Sequence, residues 1–488
     1  MPEPKVLQLA AGSAVLGLVL SAGVVTATGP WDSGQRTAER ARVAAQARTG
    51  GAHHDPAAPG GPARGDGPGG RGGPARPEAP APAPSAPGVL TALGKAAARP
   101  QNTALATVLE PLLASPDLGP LRTGAVVDVA TGEQLYGNGA AAPMVPASTV
   151  KIATAAAALS ALGPDHRIPT TVVATPDFRR VTLVGGGDPT LDGPRLRTLA
   201  RDTARALRDR GVTTVVLAYD TSLYSGPERH PIGVNDNIAP VTALMTDEGR
   251  IAGAGAAGPQ GEPANGPAPR SADPAGDTAR AFGDLLGEHA VTTGGPPVRA
   301  KAPRQAERLA RTRSAPLSAL VERALTHSDN DIAEALARQT AMATGKPASF
   351  DGAARAVRAE LGKLGVPLAG ARFADGSGLD RRDRLSAASL TALLVRAADP
   401  GRPELRPVLT GLPVGGFSGT LRERYAGGSP GAGVIRAKTG TLTGVNTLAG
   451  TAVTANGRLL AFAFLAGETP SPYTAQPALD RLAAALTR

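Results

Sequence analysis

Pro146-Ala147-Ser148-Thr149-Val150-Lys151, running into Ile152-Ala153-Thr154-Ala155-Ala156-Ala157-Ala158-Leu159-Ser160-Ala161-Leu162, decides how this chain is read. The segment from Lys151 is rich in Ala and Leu and free of Gly and Pro, which predicts a strong helix. Ser148 and Lys151 stand three residues apart, so they share one helical face and the amine can reach the hydroxyl. A serine is a poor nucleophile until a base takes its proton. A protonated lysine cannot be that base, but partial burial and a second cation nearby both lower a lysine pKa. Ser148 at the helix start also places its own N–H among the unpaired donors there, where an oxyanion can be held. The same residues carry a plainer reading, in which Ser148 is only a helix N-cap.

Two more motifs follow in order. Ser328-Asp329-Asn330 joins two predicted helices, at about Pro316–His327 and Asp331–Ala343. Lys438-Thr439-Gly440-Thr441 leads into a final hairpin, with strands Thr447–Thr454 and Leu459–Leu465 around Asn456-Gly457 and a closing helix Gln476–Thr487. Each motif alone is weak, and their order is the signal. The chain has 44 Arg and only seven Lys, two of which fall inside these motifs. A Lys438 placed near Lys151 would be the second cation.

Other matches lack their context. Gly253-Ala-Gly255-Ala-Ala-Gly258 fits a dinucleotide pattern but neither leaves a strand nor opens a helix. Lys438-Thr439-Gly440-Thr441 resembles a pump phosphorylation loop, but Ala437 stands where that chemistry needs Asp. His327 and Ser328 are adjacent and do not face each other on a helix. The six His residues show no metal-ligand spacing.

Working outward, Val6–Val25 is a charge-free, mostly apolar run behind Lys5. It is close to the length that spans a bilayer, and a cut after Ala27 is also compatible with it. Gly29–Gly88 holds 13 Gly and 11 Pro and reads as a disordered tether. Folded sequence starts near Val89, with Leu90, Leu93, Leu105, Val108, Leu109 and Leu112 at helical spacing. A strand pair follows around Ala130-Thr131-Gly132, then a helix from Leu196 to Leu207 and a strand Val212–Ala218. Helices are also predicted at Asp277–His289 and Leu385–Ala398, and Gly253–Gly276 reads as a loose loop. The domain reading is 1–28 export segment, 29–88 linker, 89–178 first part of a catalytic domain, 179–310 inserted region, and 311–488 second part.

Composition narrows the classes. The 488 residues contain no Cys, which removes disulfide scaffolds, zinc fingers and Cys nucleophiles. Aromatics are 3%, against base-stacking nucleic-acid platforms. The net charge of +10 is carried almost wholly by Arg and accompanies high Ala, Gly and Pro, a pattern of GC-rich coding.

The sequence resembles the penicillin-recognising serine D,D-peptidases, specifically the low-molecular-mass class C penicillin-binding proteins, the D-alanyl-D-alanine carboxypeptidase/endopeptidase family. The three motifs carry the resemblance together with Leu183-Val-Gly-Gly-Gly-Asp-Pro-Thr-Leu191 and Asp375-Gly-Ser-Gly-Leu379 followed by Arg381. It covers roughly Leu90 to the end. It implies an α+β/α/β fold: a serine β-lactamase-like catalytic domain with an antiparallel sheet flanked by helices, interrupted by an inserted region. The 180 residues from Ser148 to Ser328 suit that insertion.

The resemblance also implies roles. Ser148 is acylated, Lys151 is the base, Ser328 relays the proton and Asn330 orients Lys151 and the substrate. Lys438 and Thr439 hold the terminal carboxylate and lower the pKa of Lys151, Gly440 belongs to the same substrate-binding motif, and Thr441 N–H joins Ser148 N–H as an oxyanion hole. Asp188 and Arg381 approach the substrate. The implied partners are peptidoglycan stem peptides ending in D-Ala-D-Ala, β-lactams as covalent inhibitors, and the membrane through the N-terminal segment. Neither cofactor, metal nor nucleic acid is called for, and the location is extracytoplasmic. A serine β-lactamase is a competing reading, although no Glu-x-x-Leu-Asn loop stands in the expected interval. A non-catalytic wall-binding or penicillin-sensing module is another.

Overall fold

Alternation of small and large side chains organises the main sheet. On the strand Leu459–Gly467, Ala461, Ala463 and Leu465 enter one buried cluster while Leu460, Phe462 and Phe464 enter another. A strand with period two feeds both of its faces, so both must be covered. The computed structural model describes residues 102–251, 264–425 and 427–488. The expectations for Val6–Val25, the 29–88 linker, Leu90, Leu93 and the 253–258 glycines lie outside the described residues.

In chain order the elements are helix α1 (Asn102–Leu113), strands β1 (Leu121–Asp128) and β2 (Gln134–Asn138), and helix α2 (Val150–Leu162). Next come β3 (Pro169–Ala174), β4 (Arg180–Val184), α3 (Gly193–Arg208), β5 (Thr214–Asp220), α4 (Pro274–Glu288), β6 (Thr292–Thr293), β7 (Val298–Arg299) and β8 (Glu307–Arg313). Then follow α5 (Leu317–Thr326), α6 (Asn330–Ala343), α7 (Phe350–Lys363), α8 (Ala387–Ala398) and the short α9 (Pro407–Thr410). The chain ends with β9 (Ile435–Leu442), β10 (Val445–Val453), β11 (Leu459–Gly467) and α10 (Pro472–Ala485).

The first sheet is antiparallel throughout, in the order β2-β1-β11-β10-β9. One face packs on α8 and shares an apolar cluster with α2, and the other packs on α1 and α10. Helix α2 is buried from Val150 to Leu159 because it is apolar all round, and α5, α6, α7 and α8 surround it. Its six alanines allow close approach by those neighbours. It stops at Gly163, whose φ of 79° and N–H to Leu159 O close the last turn.

The second sheet is mixed, in the order β6-β5-β4-β3-β8, with β7 also beside β5. Helices α3 and α4 cover one face over Val172, Val181, Leu183, Val215 and Leu217. Its strands run from Pro169 to Arg313, ten residues earlier and three later than the 179–310 expected, because β3 pairs with both β4 and β8. The chain passes outward at 164–168 and back at 314–318, and the two passages are bonded. Ser314 N–H donates to Ile168 O (2.9 Å), Ile168 N–H to Ser314 Oγ (2.9 Å) and Leu317 N–H to His166 O (2.7 Å).

Candidate active site

Ser148 lies in a 3-10 turn, Ala147–Thr149, that leads into α2. The α2 cap, Thr149, makes no side-chain capping bond, and Ser148 is not the cap. Ala147 has φ 45°, a conformation that L-residues avoid and that persists where neighbours hold it. The neighbour here is Gly378. A Cβ at Gly378 would stand 2.0 Å from Ala147 O, so only Gly lets the Asp375–Leu379 loop lie against this turn.

Lys151 is fully buried, and its Nζ has three partners: Ser148 Oγ at 3.0 Å, Asn330 Oδ1 at 2.7 Å and Ser377 O at 2.6 Å. Burial pushes its pKa down to about 8, against the pull of Asp375, Asp329, Glu334 and Asp331. The sequence reading named two causes for that depression, partial burial and a nearby cation such as Lys438. Of the two, burial is the dominant one.

The loop that supplies Ser377 O is itself clamped. Glu334 accepts from Gly376 N–H and Ser377 N–H, both at 2.9 Å. Asp375 accepts from Gly378 N–H (2.6 Å), Asp380 N–H (2.8 Å) and Ser377 Oγ (3.0 Å), and lies 2.9 Å from His230 Nε2. Sequence reasoning missed Glu334. It stands four residues after Asn330, one turn along α6, which was the available signal.

Ser328 sits between α5 and α6 with φ 59°. Asp329 caps α6 by accepting from Ile332 N–H (2.9 Å), which fixes Asn330 at the first helical position. Asn330 Nδ2 then donates to Asn237 O (2.9 Å), leaving Oδ1 for Lys151.

Strand β9 closes the other side. It is an outer strand of its sheet. Ala437 N–H donates to Pro413 O, and Gly415 N–H to Ile435 O, both on the side away from β10. Backbone direction alternates along a strand, so the N–H and C=O of Thr439 and Thr441 point to that open side too. Gly440 is required by proximity: a Cβ there would stand 2.1 Å from Thr447 Oγ1 and 2.8 Å from Pro146 O.

These elements surround a cleft of about 670 Å³ lined by Ser148, Ser328, Asn330, Thr439 and Thr441, with Arg250, Arg270, Arg422 and Arg424 on its walls. The sequence did not single out these arginines. His327 lines it as well. Lys438 does not. It is wholly buried beneath the cleft and donates to Thr439 O (2.8 Å). Burial, then Lys151 and Arg424, drive its pKa well below the ordinary lysine value. The groups that meet the cleft are the Thr439 and Thr420 hydroxyls, 2.8 Å apart.

Two expected site residues stand elsewhere. Asp188 accepts from Thr190 N–H (2.9 Å), Thr190 Oγ1 (2.6 Å) and Arg195 (2.8 Å), ordering the turn before α3. Arg381 donates to Thr443 O (2.5 Å) at the β9–β10 turn and does not line the cleft. Two carboxylate groupings bring three metal-capable donors within 4.8 Å of one another: His230, Glu334 and Asp375, and Glu248, Asp329 and Asp331. Protein cations already engage them. Arg338 contacts Glu334, Arg250 and Arg323 contact Glu248, and Arg270 contacts Asp331.

The D-Ala-D-Ala carboxypeptidase 3 (S13) family matches residues 105–269 and 254–486. The chain is 39% identical over 430 residues to Carboxypeptidase DacB of Mycolicibacterium smegmatis, covering 84% of this chain and 89% of that one. It is 39% identical over 424 residues to Carboxypeptidase Rv3627c of Mycobacterium tuberculosis, covering 82% and 88%. Its fold is similar to that of penicillin binding protein 4 (dacB) from Haemophilus influenzae, with TM-score 0.64 at 21% identity, over 79% of this chain and 98% of that one. A match of this length and identity, over the residues that build the cleft, makes the chain a member of the D-Ala-D-Ala carboxypeptidase 3 (S13) family.

Proposed function

We propose that this serine-type D-Ala-D-Ala carboxypeptidase works on peptidoglycan peptides through an acyl-enzyme on Ser148, with Lys151 as general base. One observation carries the assignment. Two of the three Lys151 partners, Asn330 Oδ1 and Ser377 O, can only accept hydrogen bonds. A neutral amine has two N–H bonds and one lone pair. With both N–H bonds committed, the lone pair is left for the Ser148 hydroxyl at 3.0 Å.

Ser148 Oγ then attacks the carbonyl between the last two D-alanines, and its proton moves to Lys151. The Ser328 hydroxyl passes that proton to the leaving amine as the peptide C–N bond breaks. The terminal D-alanine departs and an ester remains on Ser148, which water hydrolyses. Ser148 N–H and Thr441 N–H are the oxyanion donors. The Thr439 and Thr420 hydroxyls receive the substrate carboxylate, with Lys438 beneath them. The open edge of β9 favours an extended peptide laid along it as an added strand. A cross-linked peptide presents the same bond, so D,D-endopeptidase activity belongs to the same reading.

The test is covalent labelling by fluorescent penicillin, whose strained amide is opened by the same attack. Wild type is expected to be labelled and Ser148→Ala is not. No label on wild type, or equal label on both, refutes the assignment. The family acts on the wall, and the proposed route there is export by Val6–Val25, as a cleaved signal or an anchor. Sequencing the N-terminus of the recovered protein distinguishes the two. Among the described residues no helix is long and apolar enough to cross a membrane.

A further inference from the structure

Strand β8 is the outer strand of the second sheet and reads Glu307-Arg308-Leu309-Ala310-Arg311-Thr312-Arg313. Strict alternation would put Arg311 and Arg313 on one face and Arg308 on the other. The pairing departs from alternation. Val172 opposes Ala310 and Val173 opposes Arg308, so Leu309 is the extra residue of a bulge. Cross-strand partners share a face. Arg308, Arg311 and Arg313 therefore stand beside Val173, Thr171 and Pro169, the β3 residues that alternate with the core residues Val172 and Ala174. Ala310 and Leu309 still pack against that core. One bulge keeps the apolar side chains inside and brings three guanidiniums into a single exposed row.

The row has no counter-charge. Among the described residues no carboxylate lies within ion-pair distance of Arg308, Arg311 or Arg313. Glu307, the acid on the same strand, is taken by Arg210 at 2.7 Å. The charges of Arg313 and Arg308 push the Arg311 pKa below its ordinary value. Arg197, Arg201 and Arg280, also on the surface of this region, do have acidic partners.

We propose that this face of β8 binds a linear phosphodiester-linked wall polymer lying along the strand. Arginine keeps its charge at any physiological pH, and its planar fork matches phosphate oxygens. Residues two apart on one face of a strand are about 6.8 Å apart, and the bulge makes Arg308 continue that spacing. The row thus offers three charges over roughly 14 Å, which suits a repeating polyanion better than one small ion. The choice of a wall polymer rests on the reading that the chain works on peptidoglycan.

The test measures binding of the full chain to purified poly(glycerol phosphate) across a salt series. Arg308→Gln/Arg311→Gln/Arg313→Gln is expected to weaken binding at least tenfold. It should also lower the slope of log affinity against log salt by about 2, as expected for three lost phosphate contacts on a flexible polyanion. A charge-matched control, Arg355→Gln/Arg396→Gln/Arg406→Gln, changes exposed arginines on and near α7 and α8 and should stay within twofold. Equal losses in the two triples, or no loss in the first, overturn the proposal. So does a larger effect of the β8 triple on binding to anionic lipid vesicles or duplex DNA than on the polymer. D-alanine release from a soluble peptide should be unchanged in the β8 triple. That release is read separately, so failure of polymer binding and failure of the catalytic reading are told apart.

Discussion

β9 and β8 are both outer strands, each carries basic residues, and they treat positive charge in opposite ways. On β9 the lysine is driven inside while Arg436 stays exposed: Lys438 is wholly buried, with Lys151 buried across the cleft floor, and both amines lose proton affinity. On β8 three arginines stand in water and stay charged. Desolvation is what turns an amine into a base, so chemistry needs the buried arrangement. Capture of a polyanion needs charge exposed at the surface, where salt then screens it. The difference also explains the residue types, because lysine shifts its pKa readily when buried and arginine does not.

The strongest way to break this contrast is Lys151→Met. D-alanine release should fall by about 10⁴-fold or more, since the nucleophile loses its base. A fall of less than tenfold would remove the base from β9's side of the comparison. Lys438→Met comes next, with a loss of about 10²-fold because the buried donor that holds Thr439 O beneath the cleft is gone. Its melting temperature should hold or rise, since a buried amine without a carboxylate partner is replaced by an apolar chain of similar length. A large drop in melting temperature would mean that Lys438 is a structural ion pair.

The pH dependence sharpens the same point. Activity should rise with pH to a midpoint near 8, losing about tenfold per unit below it. A flat profile from pH 5 to 9 contradicts the buried base. Stability should respond in the adjoining window, above that midpoint. Between about 8 and 10.5 the unfolded chain binds the Lys151 proton and the folded one does not, so stability rises with pH, by roughly 3 kcal/mol in all. Lys151→Met should lose that rise in a urea titration. The smallest effect is expected for Arg381→Gln, which removes one hydrogen bond to the β9–β10 turn: about two- to fivefold in kcat/KM for D-alanine release. A hundredfold loss would return Arg381 to the substrate.

Local signals were legible where chemistry or turn geometry demands particular residues at short spacing. Ser148 and Lys151 meet as their i, i+3 spacing requires, and Asn456-Gly457 does join β10 to β11. The antiparallel sheet with flanking helices was legible from the resemblance. Helix α7 was not, because Gly352, Gly362, Arg355, Arg358 and Lys363 dilute its apolar stripe. The burial of Lys438 was also hidden. Arg436 and Lys438 share one face of β9 by alternation, yet one is exposed and the other buried. What separates them is the Ala147–Thr149 turn packed on β9, a contact between residues about 290 apart. Asp188 misled for a related reason. Its motif is short and recognisable, while its actual partners, Thr190 and Arg195, are local and structural.

The hydrogen-bonded pair of passages at 164–168 and 314–318 has a consequence for the history of the chain. Because the two ends of the 169–313 segment lie side by side, such a segment can be gained in one event without rethreading the helices around α2. Losing it is another matter. Asp331 depends on Ala239 N–H and Arg270, Asn330 on Asn237 O, and Asp375 on His230. Deletion would strand two buried carboxylates and release the amide that aims the catalytic amine.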